Sequence, residues 1–181
     1  MAEKLAVYAN RAGVGDVPLV VQAYHLAMRP RLERLSDVFH HDMLHPARCA
    51  LILIEMHCQD ARLLAAAQVT ETYVPALRVA HEAVVGTLGE EVARLSAAVP
   101  DPRTDREMLL EKLVTLDDDI LLIALAERLD HARHLHLRAP AEWRDYFEQT
   151  TAVYLPVAGR VHPELHRRLE RWAGVFEERL R

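Results

Sequence analysis

The sequence predicts an all-α fold, and three observations lead to that prediction. Apolar residues recur with helical spacing along nearly the whole chain, and alanine and leucine, both strong helix formers, dominate. Sustained alternation of apolar and polar residues between turn signals, which is typical of strands, is missing from the sequence. The chain has only 6 glycines and 6% aromatic residues, whereas sheet-rich proteins depend on glycine turns and aromatic strand positions.

The first half of the chain contains five predicted helices: Val17–Met28, Ala47–Cys58, Ala61–Thr70, Ala76–Leu88, and one from Glu90 to about Val99. Proline and glycine set most of their limits, because proline fits a first helical turn and stops a helix elsewhere. Pro30 is expected to end the first helix, and Pro46 to lie in the first turn of the second. Asp60 is expected to be the N-cap of the third helix, and the fourth helix is expected to begin directly after Pro75. Gly89 separates the last two helices.

The second half contains four predicted helices: Thr104–Thr115, Ile120–Leu137, Glu142–Val157, and one that begins at Pro163. Thr104 and Glu107 have capping-box spacing, and Pro140 is expected to end the long apolar helix. One face of the last helix carries Leu165, Leu169, Trp172, Phe176 and Leu180. That face packs either inward or against a second copy of the chain. The sequence therefore predicts one helical domain over residues 1–181, with a core over about 17–172.

Composition excludes several classes of protein and partner. Hydrophobic residues make up 51% and charged residues 27% of the chain, which excludes wholesale disorder. The net charge is −5, and no basic segment indicates a nucleic acid or an anionic membrane as a partner. No apolar run approaches the ~20 residues that span a bilayer. With no secretory signal and only 2 cysteines, we expect a cytoplasmic protein with reduced thiols.

Eleven histidines raise the question of a metal site, which needs three or more imidazole or carboxylate groups in one place. His45 precedes Pro46 at a helix start, where it either projects into a cleft or is a capping or surface residue. The segment His40–Asp42 falls in a predicted loop over 31–44. Because adjacent residues of an extended loop point to different sides, we expect solvated side chains here rather than one metal site.

The long predicted helix carries two pairs of polar residues four positions apart, Glu127 with His131 and Asp130 with His134. Residues at this spacing share a helix face. We interpret Asp130 and His134 as a surface ion pair. Glu127 directly follows an apolar run, so its carboxylate needs a partner. An ion pair with an arginine of the same helix is preferred over a metal ion.

Five segments, taken in order, resemble the HD hydrolase domain of the RelA/SpoT family. They are His45-Pro46 with the helix behind it, Leu63–Ala67, Leu88–Leu95, Leu125–Arg133 and Tyr154–Arg160. The likeness covers roughly residues 20–172. It implies an HD-domain-like helical bundle whose relatives cleave (p)ppGpp to GDP or GTP and pyrophosphate with Mn²⁺. The chain length suits the small stand-alone hydrolases of that family.

The resemblance also implies where a metal site stands and how it has changed. The family's histidine before proline corresponds to His45, and its last metal-binding aspartate to Glu127. The family's His-Asp pair falls on Thr70-Glu71, or, with a one-residue slip, on Val69-Thr70. Threonine is a poor replacement for imidazole as a metal ligand. The resemblance therefore implies a vestigial metal site of His45, Glu71 and Glu127.

Two other functional groups of the family are altered as well. The Glu-Asp pair that orients the attacking water falls on Val74-Pro75, whose loss removes general-base assistance of about 10²–10⁴-fold. The basic pair that holds the nucleotide falls on Arg34-Leu35, and the family's asparagine falls on His131. Arg34 and His131 are thus the candidate substrate-binding residues, and no residue is a candidate catalytic group.

Three hypotheses follow from the sequence. The first is a degenerate, catalytically impaired HD-type domain that acts as a binding or scaffold module, needs no cofactor and has a guanine nucleotide as a candidate ligand. The second is an active Mn²⁺-dependent phosphohydrolase whose altered ligands are completed by, for example, His81 or His131. The third is a structural helical protein that oligomerises through its C-terminal helix.

Overall fold

A computed structural model shows how the chain folds, and it describes residues 1–37 and 39–181, with Val38 outside the described residues. The all-α prediction is confirmed, since the described residues contain eleven α-helices and no strand. The helices are α1 (Ala2–Arg11), α2 (Val17–Arg34), α3 (His45–Glu55), α4 (Ala61–Val69), α5 (His81–Leu88), α6 (Glu90–Ala97), α7 (Arg106–Thr115), α8 (Asp118–His134), α9 (Pro140–Gln149), α10 (Leu155–Val161) and α11 (Pro163–Glu177). No helix among the described residues is long and apolar enough to cross a bilayer.

Helix α4 lies at the centre of the fold. It packs against α2, α3, α6 and α8, and its residues from Leu63 to Val69 are all buried. The Asp60 side chain caps it as predicted and accepts a hydrogen bond from the Arg62 amide at 2.8 Å. The backbone becomes extended at Thr70, where α4 ends. Residues 70–72 therefore run alongside α8 in the middle of the molecule.

The N-terminal helices differ from the sequence prediction at two places. Helix α1 was not predicted, although Leu5 and Ala9 are fully buried and lie one turn apart against α2 and α3. The prediction that Pro30 ends the next helix is wrong, because α2 continues to Arg34. Proline removes one hydrogen bond from the helix. The last turn is held instead by the buried Arg31, whose guanidinium donates to the Ala27 carbonyl at 2.9 Å and reaches across to other elements.

The predicted helix Ala76–Leu88 is also interrupted. Residues Pro75–Leu77 form a 3₁₀ turn, and α5 begins only at His81. Two tertiary contacts hold this turn apart from α5. The Leu77 side chain is buried, and Arg78 donates from Nε to the Glu71 carbonyl at 3.0 Å.

Two helix boundaries in the second half of the chain differ from the sequence prediction, each for a local reason. The cap of α7 is Asp105 rather than Thr104, because the Asp105 carboxylate accepts the amide hydrogens of residues 107 and 108. The predicted helix Glu142–Val157 is divided into α9 and α10 by a π-helical turn, Thr150–Tyr154. Pro156 has no amide hydrogen for the carbonyl of residue 152, which disfavours a regular α-helix through this point.

The apolar face of α11 packs inward against the rest of the chain. Leu165, Leu169 and Phe176 are buried, and the Trp172 ring stacks on that of Phe176 with their centroids 5.2 Å apart. The helix contacts α8, α9 and α10. Val175, on the other side, is 63% exposed. An oligomer through this helix stays a prediction.

Candidate metal centre

Four chemically important side chains converge where α3, α8 and the segment after α4 meet. His45 is the first residue of α3, Glu71 follows α4, and Glu127 and His131 lie one turn apart on α8. One donor atom of each lies within 4.8 Å of the other three donor atoms. All four residues are at most 2% exposed. The structure thus brings the three predicted metal residues together and adds His131 to them; these four residues are called the buried cluster below.

His45 is oriented by Asp130. The His45 Nδ1 atom lies 2.8 Å from Asp130 Oδ2, and Arg48 donates to the same carboxylate from Nε at 2.6 Å and Nη2 at 2.9 Å. A carboxylate on one ring nitrogen fixes the direction of the other, as around many metal-bound histidines. The surface position considered for His45 is wrong, since the ring is fully buried.

The predicted pairing of Asp130 with His134 is present, since His134 Nδ1 lies 3.7 Å from Asp130 Oδ1, but the surface placement is wrong for Asp130. Asp130 is 1% exposed, and His134 makes its hydrogen bond with the Asp130 main-chain oxygen at 2.8 Å. Burial opposes ionisation of the Asp130 carboxyl, but the hydrogen bonds and charges of His45 and Arg48 hold its pKa well below the usual range. Burial likewise opposes the protonation of His45, and contacts with Cys49 and Asp130 nevertheless raise its pKa well above the usual value.

Glu71 is held by an arginine that the sequence analysis did not identify. Arg31 Nη2 donates to Glu71 Oε2 at 2.6 Å, and both side chains are 1% exposed. The Val74 amide donates to the other carboxylate oxygen at 2.9 Å. Arg34, the predicted nucleotide-binding residue, lies exposed at the last position of α2 and outside the buried cluster. Its role in substrate binding stays a prediction.

Glu127 is held by Thr72 instead of an arginine. The Thr72 amide donates to Oε1 at 2.7 Å, and the Thr72 hydroxyl donates to Oε2 at 3.0 Å. Burial and the neighbouring charge of Glu71 raise the pKa of the Glu127 carboxyl to about 7. The predicted ion pair within α8 is therefore wrong. Glu127 is a buried carboxyl beside a second carboxylate.

Arg128, the next residue, carries its charge away from the buried cluster. Its guanidinium lies 3.6 Å from the ring centroid of Tyr146 and 4.4 Å from that of Tyr154. It also donates to Thr150 Oγ1 at 2.8 Å and Gln149 Oε1 at 2.7 Å. This arginine joins α8 to the π-helical turn and does not neutralise Glu127.

His131 has one ring nitrogen without a hydrogen-bond partner. Its Nδ1 atom lies 3.0 Å from Arg138 Nη2, while the buried Nε2 atom lies 3.8 Å from Glu71 Oε1, beyond hydrogen-bond distance. Burial and the nearby cations, His45 first among them, hold the pKa of His131 well below its usual value, so the ring is neutral at pH 7. Metal binding through Nε2 would release the proton from that atom and require Nδ1 to lose its contact with Arg138.

The donor set of the buried cluster fits a divalent cation of intermediate softness. Two imidazoles with two carboxylates suit Zn²⁺, Mn²⁺ or Fe²⁺. The unpartnered Nε2 atom of His131, directed toward Glu71, is the structural observation that supports this fit. Each of the other three residues has an outer partner that orients it: Asp130 for His45, Arg31 for Glu71 and Thr72 for Glu127.

The buried cluster is closed to a substrate in this conformation. A cavity of about 200 Å³ is lined by Glu71, Arg78 and His81, but its lining does not include the other three residues of the cluster. Thr70, onto which the resemblance maps a histidine, is outside the cluster and donates its hydroxyl hydrogen to the Ala66 carbonyl at 2.8 Å. Catalytic metal sites keep one coordination position open, whereas structural sites are closed.

A second group of donors lies near the surface. The expectation that the side chains of His40, His41 and Asp42 point apart is wrong, because the 3₁₀ turn His41–Leu44 folds the segment back. The rings of His40 and His41 stack with centroids 4.4 Å apart. Asp42 is 5% exposed rather than solvated. These three residues are called the outer cluster below.

The sequence was compared with protein-family models and with curated proteins, and neither comparison found a match.

Proposed function

We propose that this chain is a degenerate HD-type domain that binds a divalent metal ion in the buried cluster and acts as a binding or scaffold module, without hydrolase activity. The observation that carries the proposal is the convergence of four fully buried metal-ligating side chains, including one unpartnered imidazole nitrogen. His45, Glu71, Glu127 and His131 would hold the metal, whose positive charge would offset the two buried carboxylates. The loaded cluster would then stabilise the fold without activating water.

Two observations support the loss of hydrolysis. The positions of the family's water-orienting carboxylates are held by Val74, whose amide binds Glu71, and by Pro75. The cavity beside Glu71 is not lined by His45, Glu127 or His131, and Arg138 contacts His131 at 3.0 Å and Asp42 at 3.6 Å. A buried metal without an open coordination position or a general base supports stability rather than turnover.

The first experiment measures metal content and its effect on stability. The full chain is stripped with EDTA, reloaded with Mn²⁺ or Zn²⁺ and dialysed for metal analysis, and thermal unfolding is then measured with the metal in excess. A metal present at about 100 times its Kd stabilises by about 2.7 kcal/mol, or roughly 5–10 °C for a chain of this size. We expect stoichiometric metal and a shift of this order. The metal site is refuted if the wild-type chain retains no metal and its unfolding temperature does not change.

Matched variants assign the metal to the buried cluster. His131→Gln removes one donor and should weaken binding at least about ten-fold. His136→Gln alters an exposed histidine on the turn after α8 and should leave binding unchanged. Equal metal affinity in the two variants would exclude the buried cluster as the site.

Activity is the second part of the test. The metal-loaded chain is incubated with (p)ppGpp, and pyrophosphate release is measured beside equilibrium binding of GDP. We expect no turnover, and GDP binding would identify the ligand of the module. Turnover lost in Glu127→Gln would instead establish the second candidate, an active Mn²⁺-dependent phosphohydrolase. One observation favours that candidate: the 200 Å³ cavity reaches Glu71 between Arg78 and His81.

A further inference from the structure

The outer cluster has a geometry that the buried cluster does not explain. His41 Nε2 lies 3.5 Å from Asp42 Oδ2, and His40 Nδ1 lies 3.9 Å from the same oxygen. One donor atom of each of the three residues lies within 4.8 Å of the other two. A tetrahedral zinc ion with bonds of about 2.0–2.1 Å places its donors about 3.3–3.4 Å apart. The two distances to Asp42 Oδ2 exceed that value by only a few tenths of an ångström.

The backbone of the outer cluster is anchored at the two ligand positions that lie in the 3₁₀ turn. Arg48 Nη2 donates to the His41 carbonyl at 2.6 Å, and Arg31 Nε donates to the Asp42 carbonyl at 3.0 Å. Both arginines are themselves fixed by carboxylates of the molecular interior. These contacts hold His41 and Asp42 in place before any ion binds, which lowers the ordering cost of binding.

The exposure of the outer cluster leaves room for solvent. The side chains of His40, His41 and Asp42 are 38%, 15% and 7% exposed, so one side of the group faces water. His40 Nδ1 accepts a hydrogen bond from the Asp42 amide at 3.2 Å, which metal binding at that atom would replace. Arg138 Nη2 lies 3.6 Å from the remaining Asp42 oxygen and orients the carboxylate.

We propose that the outer cluster is a second metal site, which binds Zn²⁺ through His40, His41 and Asp42 and leaves the fourth position to water. Two imidazoles and one carboxylate are a donor set that suits Zn²⁺ and Co²⁺ better than Ca²⁺ or Mg²⁺, which prefer oxygen ligands. The site is separate from the buried cluster and shares no ligand with it. A result that refutes the proposed function would therefore leave this second site untouched, and the reverse also holds.

The test is a Zn²⁺ titration of the full chain by calorimetry, with His41→Gln and His40→Asn as variants. Asparagine at position 40 keeps a side-chain acceptor for the Asp42 amide, so the turn stays capped. His136→Gln, which changes an exposed histidine outside both clusters, is the control. Circular dichroism establishes that each variant is folded, and His40, the more exposed of the two ligands, keeps the test usable if His41→Gln does not fold.

We expect the wild type and the control to bind one more equivalent of Zn²⁺ than the two variants, or to bind it at least about ten-fold more tightly. A second readout uses the visible absorption of Co²⁺ in a His131→Gln background. The outer-cluster signal should persist there and disappear when His41→Gln is added. Unchanged stoichiometry and affinity in both His40→Asn and His41→Gln would overturn the second site, whatever happens at the buried cluster.

Discussion

Arg31→Met tests how one buried cation stabilises the centre of the molecule. The Arg31 guanidinium binds Glu71 at 2.6 Å and donates to the main-chain carbonyls of Asp42, Ala27 and Leu77 at 3.0, 2.9 and 3.4 Å. Methionine preserves most of the side-chain volume but none of these donors. The substitution therefore leaves the Glu71 carboxylate as a buried negative charge that has lost its arginine.

The expected cost follows from the burial of both partners. Removing one member of a buried ion pair destabilises a protein by about 3–5 kcal/mol, because the remaining charge is uncompensated. Glu71→Gln in the same chain removes that charge, so the double variant should recover about 1–3 kcal/mol relative to the sum of the single variants. Arg34→Met, at the exposed end of the same helix, should change the free energy of unfolding by less than about 0.5 kcal/mol.

Urea unfolding at pH 7 in EDTA measures the free energies of unfolding of the wild type and the four variants without a contribution from bound metal. The reasoning is refuted if Arg31→Met costs less than about 1 kcal/mol. It is also refuted if the single variants are additive, since an intact buried pair must show coupling.

Three further predictions concern the fold. Leu64→Ala, in the fully buried centre of α4, should cost about 2–5 kcal/mol in urea unfolding. Trp172→Ala should cost about 2 kcal/mol and leave the mass measured by light scattering unchanged, because the α11 face packs inward. Asp60→Ala should cost about 1 kcal/mol at pH 7. The hydrogen bond from Arg62 lowers the pKa of Asp60, so this contribution is present above about pH 4 and is lost as the pH falls further.

Each of these predictions has a result that contradicts it. A cost below about 1 kcal/mol for Leu64→Ala would mean that α4 is not the centre of the core. A lower mass for Trp172→Ala than for the wild type would place that face at an interface between copies. An Asp60→Ala cost that stays the same at pH 3 and pH 7 would show that the carboxylate charge contributes nothing to the cap.

Hydrophobic periodicity was sufficient to predict the helical class and most helices. It failed where tertiary contacts decide a boundary. Pro30 lies inside α2 because the buried Arg31 holds the following turn. The helix expected from residue 76 begins at His81 because Leu77 is buried in a separate turn. These contacts join residues far apart in the chain, so local pattern cannot predict them.

The candidate site shows a similar division. The order of segments was sufficient to select His45, Glu71 and Glu127, which the structure places together. The sequence analysis did not identify the residues that orient them. It interpreted Asp130 as a surface residue, and Thr72 acts partly through its main-chain amide. Every residue except proline has a main-chain amide, so the residue type does not indicate which amide will bind a site residue. The i+3 and i+4 spacing of Glu127, Asp130 and His131 on α8 was the available signal for the larger cluster.

The π-helical turn Thr150–Tyr154 makes the length of this segment as important as its composition. One residue corresponds to about 100° of rotation around an α-helix. Deleting one position between 150 and 154 would rotate α10 relative to α9 and displace the Thr150 and Tyr154 side chains from Arg128. The turn should therefore accept substitutions at its exposed position, Ala152, but reject single insertions or deletions.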